Sequence, residues 1–329
     1  MKTFLVNLFL VILALAEAAP SGEVVNDTAR AEGGSPWNKY IDLSFLGPGI
    51  FGVPNENIGK VLENFKNING NPEEQGSYLE GDLLIPITRA RNGLIAQSTR
   101  WPNGIVPYVI KGSFSSNDLA MIDKAMQMFH SHTCIKFVPH TNEYDYIKIV
   151  SGRSGCWSSV GRIGGPQEVN LQTPGCMNQV GVTIHELLHV LGFLHEQNRP
   201  DRDKSVTINW QNIKPGVTEN FQKAKDGTTS NYGVSYDYNS VLHYSAYAFS
   251  VNGQPTIVPR VKTSASMGQR RGFSLGDLMK VNAMYSCESS QKGPLVKPSR
   301  SAPVEKPQNQ PTGNFLENIF SSIVNFFKP

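Results

Sequence analysis

The chain has 329 residues, 39% of them apolar and 17% charged, and a formal net charge of +3. Such a length accommodates one sizeable domain with appendages, and the composition excludes wholesale disorder. The near-neutral balance gives no electrostatic case for nucleic acid or an acidic polymer as partner.

The N-terminus opens with Met1-Lys2-Thr3, continues as an apolar run from Phe4 to Leu15 and closes on the small residues Ala16 and Ala18. A basic start, a short apolar region and a small-x-small site predict a signal peptide over residues 1–18, and hence a secreted, extracellular protein. The run falls short of the ~20 apolar residues that span a bilayer, so no transmembrane segment is expected. Asn26-Asp27-Thr28 is an acceptor sequence for glycosylation at Asn26. Residues 19–91 are rich in Gly, Asn, Glu and Pro, with one short helix expected from Ile58 to Phe65. Their composition suits a propeptide that folds mainly against something else.

Residues 92–287 are denser in apolar and aromatic side chains and carry Cys134, Cys156, Cys176 and Cys287. An even number of cysteines in a secreted chain favours two disulfides, and spacing alone leaves three pairings open. With no close C-x-x-C pair, a cysteine zinc site is not expected. Leu119, Ile122, Met126 and Phe129 follow helical spacing after the capping candidates Ser115 and Ser116. Tyr146 to Val150 alternates like a strand, and Gly155 to Pro166 reads as a loop or a twisted edge strand. Val182 to Leu191 predicts a helix, and Ser274-Leu275-Gly276-Asp277 resembles a capping box opening a last one. Helices and strands mixed in this way predict an α+β domain.

The strongest chemical signal is the run from His185-Glu186 through His189 and Gly192 to His195-Glu196. Residues four apart share a helix face, so His185 and His189 can aim their imidazoles at one ion. Gly192 permits the backbone torsion that ends a helix and brings His195 round as a third ligand. Three protein ligands leave a tetrahedral position open, the pattern of catalytic rather than structural zinc, with one ion per domain. Glu186 cannot reach that ion beside both histidines and is the candidate general base for hydrolysis of a peptide carbonyl. A bare H-E-x-x-H occurs by chance, but Gly192 and His195 at this spacing make chance a poor account.

The run continues as Gln197-Asn198-Arg199-Pro200-Asp201-Arg202-Asp203, and downstream lies Tyr236-Asp237-Tyr238-Asn239-Ser240-Val241-Leu242-His243-Tyr244. With these motifs, the stretch from Tyr78 to Cys287 resembles the astacin family of metzincin zinc metallopeptidases. Ser98 to Asn103 and Val106-Pro107-Tyr108 match the early part of that family's mature domain. The resemblance implies a two-lobed catalytic domain over residues 92–287, with a zinc cleft between the lobes and protein or peptide substrates. It implies the disulfides Cys134–Cys287 and Cys156–Cys176. It also implies that Tyr244 is a further zinc ligand in the resting mature form, swinging away to donate a hydrogen bond to the oxyanion. Where the family has methionine in the turn beneath the zinc, this chain has Leu242. The two side chains are similar in volume and apolarity, a change that costs less than about 1.5 kcal/mol, so the site is expected to survive.

Tyr78-Leu79-Glu80-Gly81-Asp82 resembles the family's propeptide motif, which implies that the Asp82 carboxylate holds zinc in the zymogen in place of water. A turn built on Glu-Gly-Asp is the plainer reading. Arg89-Ala90-Arg91-Asn92 suits an activating protease of trypsin-like or proprotein-convertase type. By resemblance the mature chain starts after Arg91, and the new amino group of Asn92 pairs with Glu196; cleavage after Arg89 is the alternative. Residues 288–313 read as a polar, Pro-rich linker. In residues 314–329, Leu316, Ile319, Phe320, Ile323 and Phe327 make an amphipathic tail that could dock on its own domain, a partner or lipid. The function expected is a secreted zinc endopeptidase made as a zymogen. A non-catalytic zinc-binding protein on the same fold is the alternative, and Leu242 alone speaks for it.

Overall fold

Ile147 and Ile149 are fully buried while Tyr146, Lys148 and Val150 are half-buried, the alternation of a strand with one face on a core. The computed structural model describes residues 40–41, 46–63, 65, 70–86 and 98–287. The signal segment, Asn26, Arg91, Asn92, the linker and the C-terminal tail lie outside the described residues.

The main sheet has five strands: β1 (Ile105–Ile110), β2 (Lys136–Pro139), β3 (Tyr146–Val150), β4 (Cys156–Ser158) and β5 (Pro166–Leu171). Their order is β2-β1-β3-β5-β4. All pairs are parallel except β4, which runs antiparallel to β5 along the edge. The segment expected as a loop or edge strand is thus both: a three-residue strand followed by a turn-rich loop.

Two helices cover the sheet. In α2 (Ser116–His132), Ser115 accepts from the Asp118 amide while the Asp118 carboxylate accepts from the Ser115 amide, so both halves of a capping box are made. Its buried face is Ile122, Ala125, Met126 and Phe129. Leu119, expected on that face, is 41% exposed, because it lies in the first turn beyond the edge of the core. In α3 (Val180–Leu191) every residue from Gly181 onward is buried, since the helix is enclosed by α2, the sheet and the following lobe. The last helix, α4 (Leu275–Tyr285), is opened by a second capping box between Ser274 and Asp277. Phe273, just before it, meets Phe129 edge-on at 4.7 Å.

The second lobe, from Phe193 to Phe273, is built of short 3₁₀ turns and one antiparallel ribbon, β6 (Val206–Ile208) with β7 (Ile257–Pro259). It has its own core of Val206, Ile213, Phe221, Tyr244, Phe249 and Ile257. The domain is therefore α+β and two-lobed, with α3 and its sequel at the junction. Cys134 is joined to Cys287 and Cys156 to Cys176, the pairs the family resemblance implies.

The segment before the domain is folded against it. Helix α1 runs from Glu56 to Glu63. It starts earlier than expected because Asn55 Oδ1 accepts from the Asn57 amide at its entrance. Residues 70–86 continue through the space between the lobes, and Ile85–Pro86 pairs in parallel with Phe51–Gly52. Ile50, Leu83, Ile85 and Val160 form a third apolar cluster where this segment meets the sheet edge.

Candidate metal centre

His185 and His189 lie on successive turns of α3. The helix ends at Gly192, whose φ of 105° places it in the left-handed region; its amide bonds back to the carbonyls of Leu188 and His189. Only glycine takes that torsion without strain, and the reversal carries His195 back beneath the helix.

The second ring nitrogen of each histidine determines its tautomer. His185 Nδ1 donates to the carbonyl of Val241 at 2.8 Å and His189 Nδ1 to that of Phe193 at 2.7 Å. A carbonyl only accepts, so both Nδ1 atoms carry hydrogen and both Nε2 atoms present lone pairs. His195 Nδ1 donates to the Glu80 carboxylate at 2.7 Å. The three Nε2 atoms converge: His185 lies 3.0 Å from His189 and 3.2 Å from His195. The Asp82 carboxylate closes the group, with Oδ2 2.9 Å from His185 Nε2 and 3.3 Å from His195 Nε2. The ligand atoms of these four buried residues lie within 4.8 Å of one another.

Lone pairs directed at one another inside a dry cavity repel unless a cation lies among them. Three imidazole nitrogens and one carboxylate oxygen are a zinc donor set, so the residues present fit the ion. The electrostatics agree. Burial alone lowers the His195 imidazole, yet the Asp82 and Glu80 carboxylates outweigh it and push it up to about 10. His185 shifts the other way, held well below the usual imidazole range by burial and by the Arg270 charge, so it offers a neutral donor.

Glu186 faces this group with no hydrogen-bond partner on either carboxylate oxygen. Burial, and then the charges of Asp82 and Glu73, push its pKa well above the carboxylate range; a cation acts in the opposite direction. The Tyr244 ring lies 4.8 Å from that of His195, and its hydroxyl donates to the carbonyl of Glu80 at 2.6 Å. Tyr244 is thus held by Glu80 and is outside the four-residue ligand group. Leu242 is buried in the turn below, whose Val241 carbonyl anchors His185. Glu196 is already engaged, accepting from Arg199 Nη1, Lys280 Nζ and the Asp237 amide.

Other parts of the site have no sequence signature. Glu73 forms an ion pair with Arg270 in which both side chains are wholly buried. Glu74 accepts from the Ser245 amide at 2.6 Å and its hydroxyl at 2.7 Å. The Asp82 carbonyl accepts from the Ser158 amide at 2.9 Å, and the Leu84 amide donates to the Ser158 carbonyl at 3.0 Å, so the segment around Leu83 extends the sheet at β4. These partners are up to 197 residues apart, and nothing periodic links them.

The family model for astacin, a peptidase family, matches residues 93–286. Zinc metalloproteinase nas-7 of Caenorhabditis elegans is 42% identical over 240 residues, covering 72% of this chain and 62% of its own. High choriolytic enzyme 1 of Oryzias latipes is 44% identical over 215 residues, 64% of this chain and 78% of its own. The solved structure of that hatching enzyme zinc-protease superposes with a TM-score of 0.53, covering 57% of this chain and 93% of the other. The chain spans 62% of nas-7 and 42% of nas-15, both from the nematode.

Proposed function

The chain belongs to the astacin family of zinc peptidases, and on that premise we propose that it is a secreted zinc endopeptidase, made as a zymogen silenced by its own propeptide. The observation that carries this is the convergence of three Nε2 lone pairs and Asp82 beside an unpartnered buried Glu186.

His185, His189 and His195 would hold the ion, which when bound would acidify water and polarise a carbonyl oxygen. Val241 and Phe193 keep the rings of His185 and His189 oriented through their Nδ1 atoms, and in the precursor Glu80 does the same for His195. Glu186 takes a proton from the water that attacks the peptide carbonyl and passes it to the leaving amine. Burial keeps its carboxylate free of competing donors, which preserves its basicity for that task. Tyr244, released from Glu80, donates a hydrogen bond to the oxygen on which negative charge develops.

In the precursor, Asp82 occupies the substrate side of the histidine triad and Glu73, Glu74 and Leu84 fill the cleft beside it. An activating protease cuts at Arg91. The amino group freed at Asn92 then joins the charge cluster at Glu196, in competition with Lys280.

The test is a comparison of the processed parent with Glu186→Ala, in zinc content and in cleavage of an unfolded protein. The variant is expected to keep its zinc and lose turnover by about 10²–10⁴. Normal turnover in the variant, or none in a zinc-loaded parent, overturns the reading.

A further inference from the structure

The propeptide is held in a second place, away from the metal. Helix α1 lies against the loop before β4 and the turn at Gly175. Its Gly59 approaches the main chain of Arg153 so closely that a Cβ there would lie 2.2 Å from the carbonyl oxygen. On the catalytic side, a Cβ on Gly155 would meet Ile58 at 2.7 Å and one on Gly175 would meet Leu62 at 2.8 Å. Ile58 and Leu62 are buried there. Gln172 Nε2 donates to the Gly59 carbonyl at 2.8 Å, and Arg153 pairs with Glu63. Glycines on both sides of one contact let a helix lie directly on another backbone, a fit that tolerates no added side chain.

This socket is linked to the cleft by Tyr78, whose hydroxyl donates to the Ser154 carbonyl at 2.7 Å and accepts from the Asn55 amide at 2.9 Å. On the propeptide side, every residue of both anchors lies N-terminal to Arg89. A cut at Arg89 or Arg91 therefore breaks none of them and removes only the effective concentration that a covalent link supplies.

We propose that the socket formed by Arg153–Gly155, Gln172 and Gly175 is a docking site independent of the metal, through which the propeptide remains bound after the junction is cut and inhibits in trans. The proposal rests on reading residues 19–91 as a propeptide. Cutting and activation are then separate events, and activity appears only when the propeptide dissociates or is cut again.

The test uses the full precursor carrying the recognition sequence of a site-specific protease in place of Thr88–Arg91. After cleavage, the propeptide is expected to co-elute with the catalytic domain on size exclusion, and peptidase activity to rise on dilution. A labelled synthetic peptide of residues 46–86 should bind the isolated, propeptide-free domain. Gly59→Val or Leu62→Asp in that peptide should weaken binding by at least about tenfold. Because the changes are in the peptide, the folding of the domain is not at issue. Immediate separation after the cut, or unchanged binding of both altered peptides, overturns the proposal. Co-elution requires no catalysis, so a propeptide-free, zinc-loaded domain without activity would defeat the enzymatic reading and leave the docking result standing.

Discussion

Asp82 is wholly buried among the three histidines, with Oδ2 2.9 Å from His185 Nε2 and Oδ1 3.6 Å from His189 Nε2; on the proposed reading its lost solvation is replaced by the ion. On that reading Asp82→Ala removes a ligand and leaves the rest of residues 70–86 in the cleft. The uncleaved variant is expected to gain partial activity on a fluorogenic peptide. If it folds and stays as silent as the parent, steric cover by the propeptide is what enforces latency. The role proposed for Tyr244 is the complementary one. Tyr244→Phe keeps the ring against His195, Phe221 and Phe249 and removes only the hydroxyl. In the processed enzyme it should lower kcat by about 10²–10³ with little change in KM, as for loss of one oxyanion donor. Steady-state kinetics decide this, and a change confined to KM would assign the hydroxyl to substrate binding instead.

The elements that place these residues are partly shared with elements elsewhere. Asp277 is the third residue of α4, and its carboxylate accepts from the Ser274 amide in the capping box. The same carboxylate accepts from the Ser240 hydroxyl and from the Val241 amide at 2.9 Å. Val241 in turn supplies the carbonyl that orients His185. The cap of the last helix therefore supports the turn beneath the metal. Asp277→Ala is expected to destabilise the domain by about 1–3 kcal/mol, the cost of stranding buried donors. It should also weaken zinc binding by about 10–100-fold, as loss of an outer support does. Urea unfolding and competition with a chromogenic chelator measure the two effects; a cap-only role would move the first and not the second. The capping box and the histidine helix were legible in the sequence because their residues are three or four apart and repeat a known geometry. The second use of Asp277 was not, because Ser240 is 37 residues away and contributes no periodicity. Glu80 shows the same limit: it stands within a readable motif, yet its bond to His195 spans 115 residues.

At the scale of the molecule, the α+β class and two lobes followed from the alternating strand, the two capped helices and the family resemblance. The docking of helix α1 did not, since it depends on three glycines far apart in the chain. The two disulfides differ in what they restrain. Cys134–Cys287 closes a loop of 153 residues that contains the three histidines, and Cys156–Cys176 closes one of 20 around the sheet edge. Chain entropy assigns about 5 kcal/mol to the first and about 3 kcal/mol to the second. Paired Cys→Ala variants should lose stability in that order in urea, and the reverse order would mean that local packing at β4 outweighs loop closure.

The bond from Glu80 to His195 bears on the lifetime of the ion in its cage. His185 and His189 lean on the carbonyls of Val241 and Phe193, both within residues 92–287. His195 leans on Glu80, which lies in the same short segment as Asp82. On the proposed maturation, Asp82 and the Glu80 prop leave together, while Tyr244 is released from the Glu80 carbonyl and becomes free to approach the ion. On that reading the precursor should surrender zinc to a strong chelator far more slowly than the processed enzyme does. Equal off-rates for the two forms would show that His195 finds a replacement prop as soon as Glu80 is gone.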